Sequence, residues 1–361
     1  MKFIFTKVTG LESASNSHLS EYRQHLRRQV SEVTPATFEE VALRVFRYQA
    51  EHNPVYRTYL AHLNYKTDRP ERLAEVPHLP IQFFKHHTIR TGQPPVPAVI
   101  FESSGTTNST SSAHPLYDAS LYQSLSQRIF EQEYGALNHF HILALLPSYL
   151  ERNNSSLVYM VRQFIDHTAS PFSGFYLHDT AALTAQLRTL AARQDDSRRV
   201  LVLGVTFALL DWAESEIDLS FLQNLPNLIV METGGMKGRR REMLREEVHD
   251  ILEEKLTLPC IHSEYGMTEL LSQAYSQGEG LFRPGATMRV LLRDPNDPFA
   301  VHEHGTYQGT GGINVIDLAN LDSCSFIETQ DLGQFGPEKD TFYVMGRFDN
   351  SDIRGCNLMA L

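Results

Sequence analysis

Residues 180–230 read TAALTAQLRTLAARQDDSRRVLVLGVTFALLDWAESEIDLSFLQNLPNLIV. The apolar residues recur at helical spacing over residues 180–193, which predicts a helix. Two short apolar runs follow, at residues 200–203 and 228–230, and each has the length of a buried strand. Strands that alternate with helices in this way form a largely parallel sheet. The stretch therefore predicts an α/β fold.

The same alternation continues on both sides of this stretch. The further predicted elements are a strand at residues 142–146 and helices at 17–30, 38–52, 119–134, 156–166 and 239–254. From Gly280 onward the chain is rich in Gly, Pro, Thr and short apolar runs, which predicts small antiparallel β structure. We find no internal repeat and no low-complexity linker, so we expect one integrated α/β unit.

Composition and charge narrow the class of function. The 361 residues are 42% hydrophobic and carry a formal net charge of −11, which argues against broad binding to nucleic acid or to an anionic membrane. No apolar run reaches membrane-spanning length, and the N-terminus lacks a signal-peptide core, so we expect a soluble cytoplasmic protein. The three cysteines are far apart in sequence and indicate no disulfide framework and no zinc site.

A segment of small hydroxyl residues follows a predicted strand at residues 99–102. It reads Ser103-Ser104-Gly105-Thr106-Thr107 and continues as Asn-Ser-Thr. Backbone N–H groups and hydroxyls with little steric bulk can turn together towards one anion, as a phosphate loop requires. The spacing is not that of a Walker loop. The alternative interpretation is a solvated Ser/Thr linker.

A second cluster, His262-Ser-Glu-Tyr265-Gly266-Met-Thr268-Glu269, follows a strand that we predict at residues 258–261. Tyr265 could stack on a purine, Thr268 could bond a phosphate, and Glu269 could bind Mg²⁺. Taken singly, each has an ordinary structural alternative: a buried aromatic, a turn hydroxyl or a surface acid.

These segments resemble motifs of the adenylate-forming superfamily of acyl-CoA synthetases. Ser103 to Thr107 is similar to its phosphate loop, and Tyr265 to Glu269 matches its Y-G-x-T-E motif. The resemblance implies that Tyr265 packs on adenine, Thr268 contacts the α-phosphate and Glu269 serves Mg²⁺. Three further segments also resemble family motifs, and all five motifs occur in the family's order. Gly234-Gly235 resembles the glycine loop, and Asp331 lies in a segment similar to T-G-D-L-G, whose Asp binds the ribose. Arg347 lies in a segment similar to the G-R-x-D hinge, whose Arg reaches the nucleotide. Gln330 replaces the usual glycine before Asp331.

The resemblance implies the fold of the family's large N-terminal domain, with mixed, mostly parallel sheets, flanking helices and a small β subdomain. We expect the C-terminal lid domain to be essentially absent, because only residues 350–361 follow the hinge motif and no lysine follows Lys339. The predicted regions are a helical N-terminal region (1–98), a nucleotide-binding core (99–275), a β-rich subdomain (276–345), and the hinge with a truncated tail (346–361).

Within that superfamily, residues 78–85 and 353–358 resemble the acyl-protein synthetases of bacterial bioluminescence systems. The resemblance implies ATP-dependent activation of a fatty acid, with transfer of the acyl group to Cys356. An acyl reductase or an acyl-carrier protein would be a possible partner. An aryl-acid ligase similar to phenylacetate-CoA ligase, and a non-catalytic scaffold that binds nucleotide or acyl groups, stay open as alternatives. The basic residues 237–241 could meet ATP phosphates or form a solvated turn.

Overall fold

The computed structural model describes residues 9–103, 111–147, 152, 154–193, 195–225, 227–235 and 243–348, with side chains described from residue 18 onward. The helices of this part of the chain are α1 (Thr9–Ser31), α2 (Phe38–His52), α3 (Pro54–His62), α4 (Phe83–His86), α5 (Ala119–Tyr134), α6 (Ser156–Thr168), α7 (Thr180–Ala191), α8 (Thr206–Ala213) and α9 (Arg245–Leu256).

The strands of the same part are short and numerous towards its C-terminal end. They are β1 (Leu79–Pro80), β2 (Val99–Glu102), β3 (Ala113–Leu116), β4 (Phe140–Leu145), β5 (Gly174–Phe175), β6 (Arg199–Gly204), β7 (Leu228–Glu232), β8 (His262–Tyr265), β9 (Ala274–Ser276), β10 (Leu281–Pro284), β11 (Met288–Arg293), β12 (Val301–His302), β13 (Gly311–Asp317), β14 (Phe326–Phe335) and β15 (Phe342–Arg347).

Thirteen strands of the described part of the chain form one sheet, in the order β12-β11-β13-β14-β15-β10-β9-β8-β7-β6-β4-β5, with β1 beside β14. The strands from β8 to β5 are parallel to one another, and those from β8 to β12 are antiparallel. All six residues of β4 are buried, as expected for a parallel strand with helices on both faces. The predicted α/β alternation and the antiparallel C-terminal part are both confirmed.

Local sequence explains where the helices begin. Asn53, Asp118 and Asp179 each accept hydrogen bonds from backbone N–H groups in the first turn of α3, α5 and α7, which satisfies donors that the helix leaves unpaired. Pro54 occupies the first helical position of α3, where its missing N–H costs nothing. These caps and the apolar period account for α5 and α7, which were predicted, whereas α3, α4 and α8 were not predicted.

Three predicted boundaries are wrong. The helix predicted from residue 17 begins eight residues earlier, at Thr9. The strand predicted at residues 258–261 lies four residues later, as β8 (His262–Tyr265), because Pro259 has no N–H to donate to a sheet. The helix predicted from residue 239 begins at Arg245, and Leu244 before it is extended, with φ −66° and ψ 151°. The strand predicted at residues 99–102 is confirmed as β2, but it pairs with β3 in a separate two-stranded sheet.

Candidate active site

The turn that carries Thr268 and Glu269 follows β8, and the end of β13 holds it in place. The Asp317 carboxylate accepts hydrogen bonds from the backbone N–H groups of Leu271 (2.7 Å) and Ser272 (3.0 Å). Asn320 donates to the carbonyl of Glu269 at 2.8 Å. Because all these polar groups are buried and paired, the turn has a fixed conformation.

The β2–β3 hairpin packs against this turn from the other side. His114 is on β3. Its Nδ1 lies 2.8 Å from the carbonyl oxygen of Thr268, and its Nε2 lies 3.0 Å from the hydroxyl oxygen of Ser323. Burial lowers the pKa of His114 to about 4, so the ring is neutral at pH 7. A carbonyl can only accept, so Nδ1 carries the proton and donates to Thr268, and Nε2 accepts from Ser323.

The same hairpin joins the hydroxyl-rich segment to Glu269. The Ser103 N–H donates to the Ser112 carbonyl at 3.0 Å, and the Ser112 N–H donates to the Ser103 hydroxyl at 2.9 Å. The Ser112 side chain is also close enough to the Glu269 carboxyl to lower its pKa. Ser103 and Ser112 therefore pair on either side of residues 104–110, and Ser112 lies near Glu269. Ser104, Gly105, Thr106 and Thr107 lie outside the described residues.

Glu269 is a buried carboxyl close to positive charge. Burial raises its pKa, and the hydrogen bond from Ser112 and the charges of Lys85 and Arg347 oppose that rise. Among the described residues, no group of three or more His, Cys, Asp or Glu side chains could hold a metal ion. Mg²⁺ in nucleotide sites is held by only one or two carboxylates together with phosphates. Glu269 fits such a role.

Tyr265, Asp331 and Arg347 come together across the sheet. The Tyr265 hydroxyl donates to Asp331 Oδ2 at 2.8 Å, and Arg347 Nε lies 3.6 Å from Asp331 Oδ1. The Tyr265 ring is buried, with the rings of Phe282 and Phe342 at 5.9 and 5.5 Å. Burial raises the pKa of Asp331, whereas the hydrogen bond from Tyr265 and the charge of Arg347 lower it.

Gly234 and Gly235 follow β7 with φ of +73° and +93°, a region that strongly favours glycine. Glu232 anchors them, because its Oε2 accepts from the Gly234 N–H at 2.6 Å and from the Thr206 hydroxyl at 3.1 Å. Its Oε1 accepts from Arg245 Nε at 3.0 Å. Burial raises the pKa of Glu232, but the neighbouring His249 and Arg245, with Ser263 and the Gly234 N–H, outweigh burial and hold that pKa at about 2.

Two buried acids in this region were not predicted as site residues. Glu232 lies beyond the strand predicted at residues 228–230, and Glu264 was named only as part of the segment 262–269. Both are over nine-tenths buried. The only sequence signal was their place at the ends of β7 and β8, because strand ends in a parallel sheet commonly carry functional groups. Cys356 and the basic residues 237–241 lie outside the described residues, so their roles stay predictions.

No family model and no curated protein matches this sequence. Among solved structures, the chain is similar to the R395G mutant form of coronafacic acid ligase from Pectobacterium brasiliense, with a TM-score of 0.41 and 13% identity over 63% of this chain and 43% of that one. A structure of coronafacic acid ligase from the same organism gives a TM-score of 0.38 and 14% identity over 58% and 39%. The matched regions span about two fifths of those ligases, and TM-scores below 0.5 establish neither a shared fold nor a shared activity.

The described residues contain no helix that is long and apolar enough to cross a membrane.

Proposed function

We propose that this protein activates a carboxylic acid with ATP to form an acyl-adenylate, and then transfers the acyl group to a thiol. One observation carries the proposal. Arg347 is close enough to the buried carboxyls of Glu269 and Asp331 to lower the pKa of both. It therefore links the Tyr265–Asp331 hydrogen bond to Glu269 and to Ser112, which ends the hydroxyl-rich segment. These are the groups that a triphosphate, its metal ion and a ribose require.

The ribose would bind at Asp331. Its Oδ2 accepts from Tyr265, and its Oδ1 keeps lone pairs for a ribose hydroxyl, because Arg347 is 3.6 Å away and 68% exposed. An exposed guanidinium is free to swing towards a phosphate or the ribose. At Gly234 and Gly235, no heavy atom of the described residues lies within 4 Å of the position that a Cβ atom would occupy. This leaves room for a flat base to lie along their backbone.

In the first step, an oxygen of the substrate carboxylate attacks the α-phosphorus of ATP, the bond to the β-phosphate oxygen breaks, and pyrophosphate leaves with the bonding electrons. The carboxylate is already ionised at neutral pH and needs no general base. The loop of Ser103 to Thr107 and the Thr268 hydroxyl would donate hydrogen bonds to the phosphate oxygens as charge develops. Mg²⁺ held by Glu269 would neutralise part of the triphosphate charge.

In the second step, a thiolate attacks the acyl carbon of the mixed anhydride, a thioester forms, and AMP leaves. Cys356 is the first candidate for this thiol, and its neighbour Arg354 would favour the thiolate. A cysteine of a partner protein or a pantetheine thiol is the second candidate. The proposed substrate is a fatty acid.

Chemical trapping separates the two steps. With Mg-ATP and the correct acid, hydroxylamine should capture the adenylate as a hydroxamate. In its absence, the protein should retain an acyl group that mild alkali releases, and the mass of the released acid would separate a fatty from an aromatic substrate. Formation of hydroxamate with no retained acyl group would move the acceptor to another molecule. Neither product with any acid would refute the proposal.

A further inference from the structure

Three buried polar side chains on one face of the sheet carry oxygen atoms that have no hydrogen-bond partner among the described residues. Glu264 on β8 is 6% exposed. Tyr275 on β9 is 1% exposed, and Gln273, directly before β9, is 3% exposed. No described group gives the Glu264 carboxyl a hydrogen bond or an ion pair. The Gln273 Oε1 and Tyr275 Oη atoms are fully buried and also have no partner. The oxygens of Gln273 and Tyr275 therefore lose their water on folding without gaining a protein partner.

The strand register places the three groups together. Glu264 and Tyr275 are direct cross-strand partners in the antiparallel β8–β9 pair, so their side chains leave the same face. Gln273 lies two residues before Tyr275 and points to that face as well. A Cβ at Gly266 would stand 2.3 Å from Glu264 Oε1. The Glu264 carboxyl therefore lies against the backbone of Gly266, two residues before Thr268.

Helix α5 covers this face with aromatic side chains. The ring of Tyr275 lies 5.9 Å from Phe130 and 5.5 Å from Tyr134. Unlike Tyr275, Tyr134 is partnered, because its hydroxyl lies 3.1 Å from His262 Nδ1. The unpartnered groups thus form a small polar patch within an apolar wall.

A purely structural role does not explain this patch, because the same sheet pairs the other buried acids Glu232 and Asp317. Glu232, on the neighbouring strand and the opposite face, receives hydrogen bonds from Thr206, Gly234 and Arg245. Apolar side chains of the same size would fill the space around Glu264 without leaving polar atoms unpaired. Burial and the negative charge of Glu232 raise the pKa of Glu264 to about 8, so its carboxyl is neutral at pH 7 and can both donate and accept.

We propose that Glu264, Gln273 and Tyr275 bind a neutral oxygen group, a hydroxyl, on the carbon chain of the acid that the protein activates. The inference rests on the proposed function and narrows its substrate class to hydroxylated acids. A hydroxyl can donate to Gln273 Oε1 and accept from Tyr275 or Glu264, so it satisfies the patch. A second carboxylate on the substrate is excluded, because the three groups bring no positive charge to balance it.

Binding of matched acids tests the inference. Isothermal titration calorimetry would compare acids of equal chain length that carry a hydroxyl at successive carbons with the parent acid that carries none. We expect one hydroxylated acid to bind wild type about tenfold more tightly than the parent, the effect of about one good hydrogen bond. Glu264→Gln should keep the preference, because an amide also donates and accepts. Glu264→Leu and Tyr275→Phe should reduce or abolish it.

Tyr134→Phe is the matched control. It removes a hydroxyl from the same group of aromatic side chains, but this hydroxyl already has His262 as a partner, so the preference should stay unchanged. Circular dichroism would confirm that each variant is folded. If no hydroxylated acid binds wild type more tightly than the parent acid, the patch holds only buried water and the inference is wrong. A preference that survives in Glu264→Leu would overturn it equally. Pyrophosphate exchange measured on the same acids tests the proposed function separately, because binding preference does not require turnover.

Discussion

Replacing Glu264 by Gln should stabilise the protein at neutral and alkaline pH and leave it nearly unchanged in acid. The pKa of this buried carboxyl rises from 4.5 to about 8 on folding. Between those values the folded state holds a proton that the unfolded state has released, so the free energy of unfolding falls as pH rises. At about 1.4 kcal/mol per pKa unit, the penalty is about 3 kcal/mol at pH 7 and about 5 kcal/mol above pH 8. Glutamine cannot ionise, so the variant does not carry this free-energy penalty.

Urea unfolding at pH 5, 7 and 9 would measure the difference, with the fluorescence of the single, buried Trp212 as the signal. The stability gain of Glu264→Gln should grow steadily over that range. Glu232→Gln is the matched control with the opposite sign. The pKa of Glu232 falls to about 2 on folding, so its stabilisation is present above pH 4.5 and is lost as pH falls towards 2. That variant should lose about 3 kcal/mol at neutral pH. A gain for Glu264→Gln that stays constant from pH 5 to 9 would refute the reasoning.

The other predictions concern the proposed reaction. Asp331→Asn keeps the side-chain shape but weakens the ribose site, and should raise KM for ATP about tenfold with a smaller effect on kcat in steady-state assays. Glu269→Gln removes the proposed metal ligand and should lower kcat about a hundredfold. A titration with Mg²⁺ should show that the variant needs a higher concentration for its half-maximal rate. Cys356→Ala should abolish retention of a labelled acyl group while adenylation continues, which electrophoresis under non-reducing conditions and exchange assays would check together.

Much of the fold could be predicted because its signals are local. The helical period of α5 and the apolar runs of β4, β6 and β7 lie within single short windows, and they were predicted to within a few residues. The position of β8 was not predicted, because its four residues, His-Ser-Glu-Tyr, have no apolar run. The pairing with β9 and burial from both faces make it a strand, and neither can be read from a local window.

The candidate site was likewise predicted in part. Tyr265, Thr268 and Glu269 could be selected because they stand together in one motif, but the hydrogen bond from Tyr265 to Asp331 joins residues 66 positions apart. The unpaired state of Glu264 depends on what α5 and β9 bring to that face, and a single sequence contains no direct signal for it. The strand register therefore decides which of these side chains meet, and the residue types alone do not.

The most direct test of the central claim is exchange of labelled pyrophosphate into ATP, with a panel of fatty, hydroxylated and aromatic acids and with wild type and Cys356→Ala side by side. Acyl-adenylate formation predicts exchange that depends on one class of acid and proceeds in both proteins, because the thiol acts only after pyrophosphate has left. No exchange with any acid, despite measurable ATP binding, would contradict the account and favour a scaffold that binds nucleotide without chemistry.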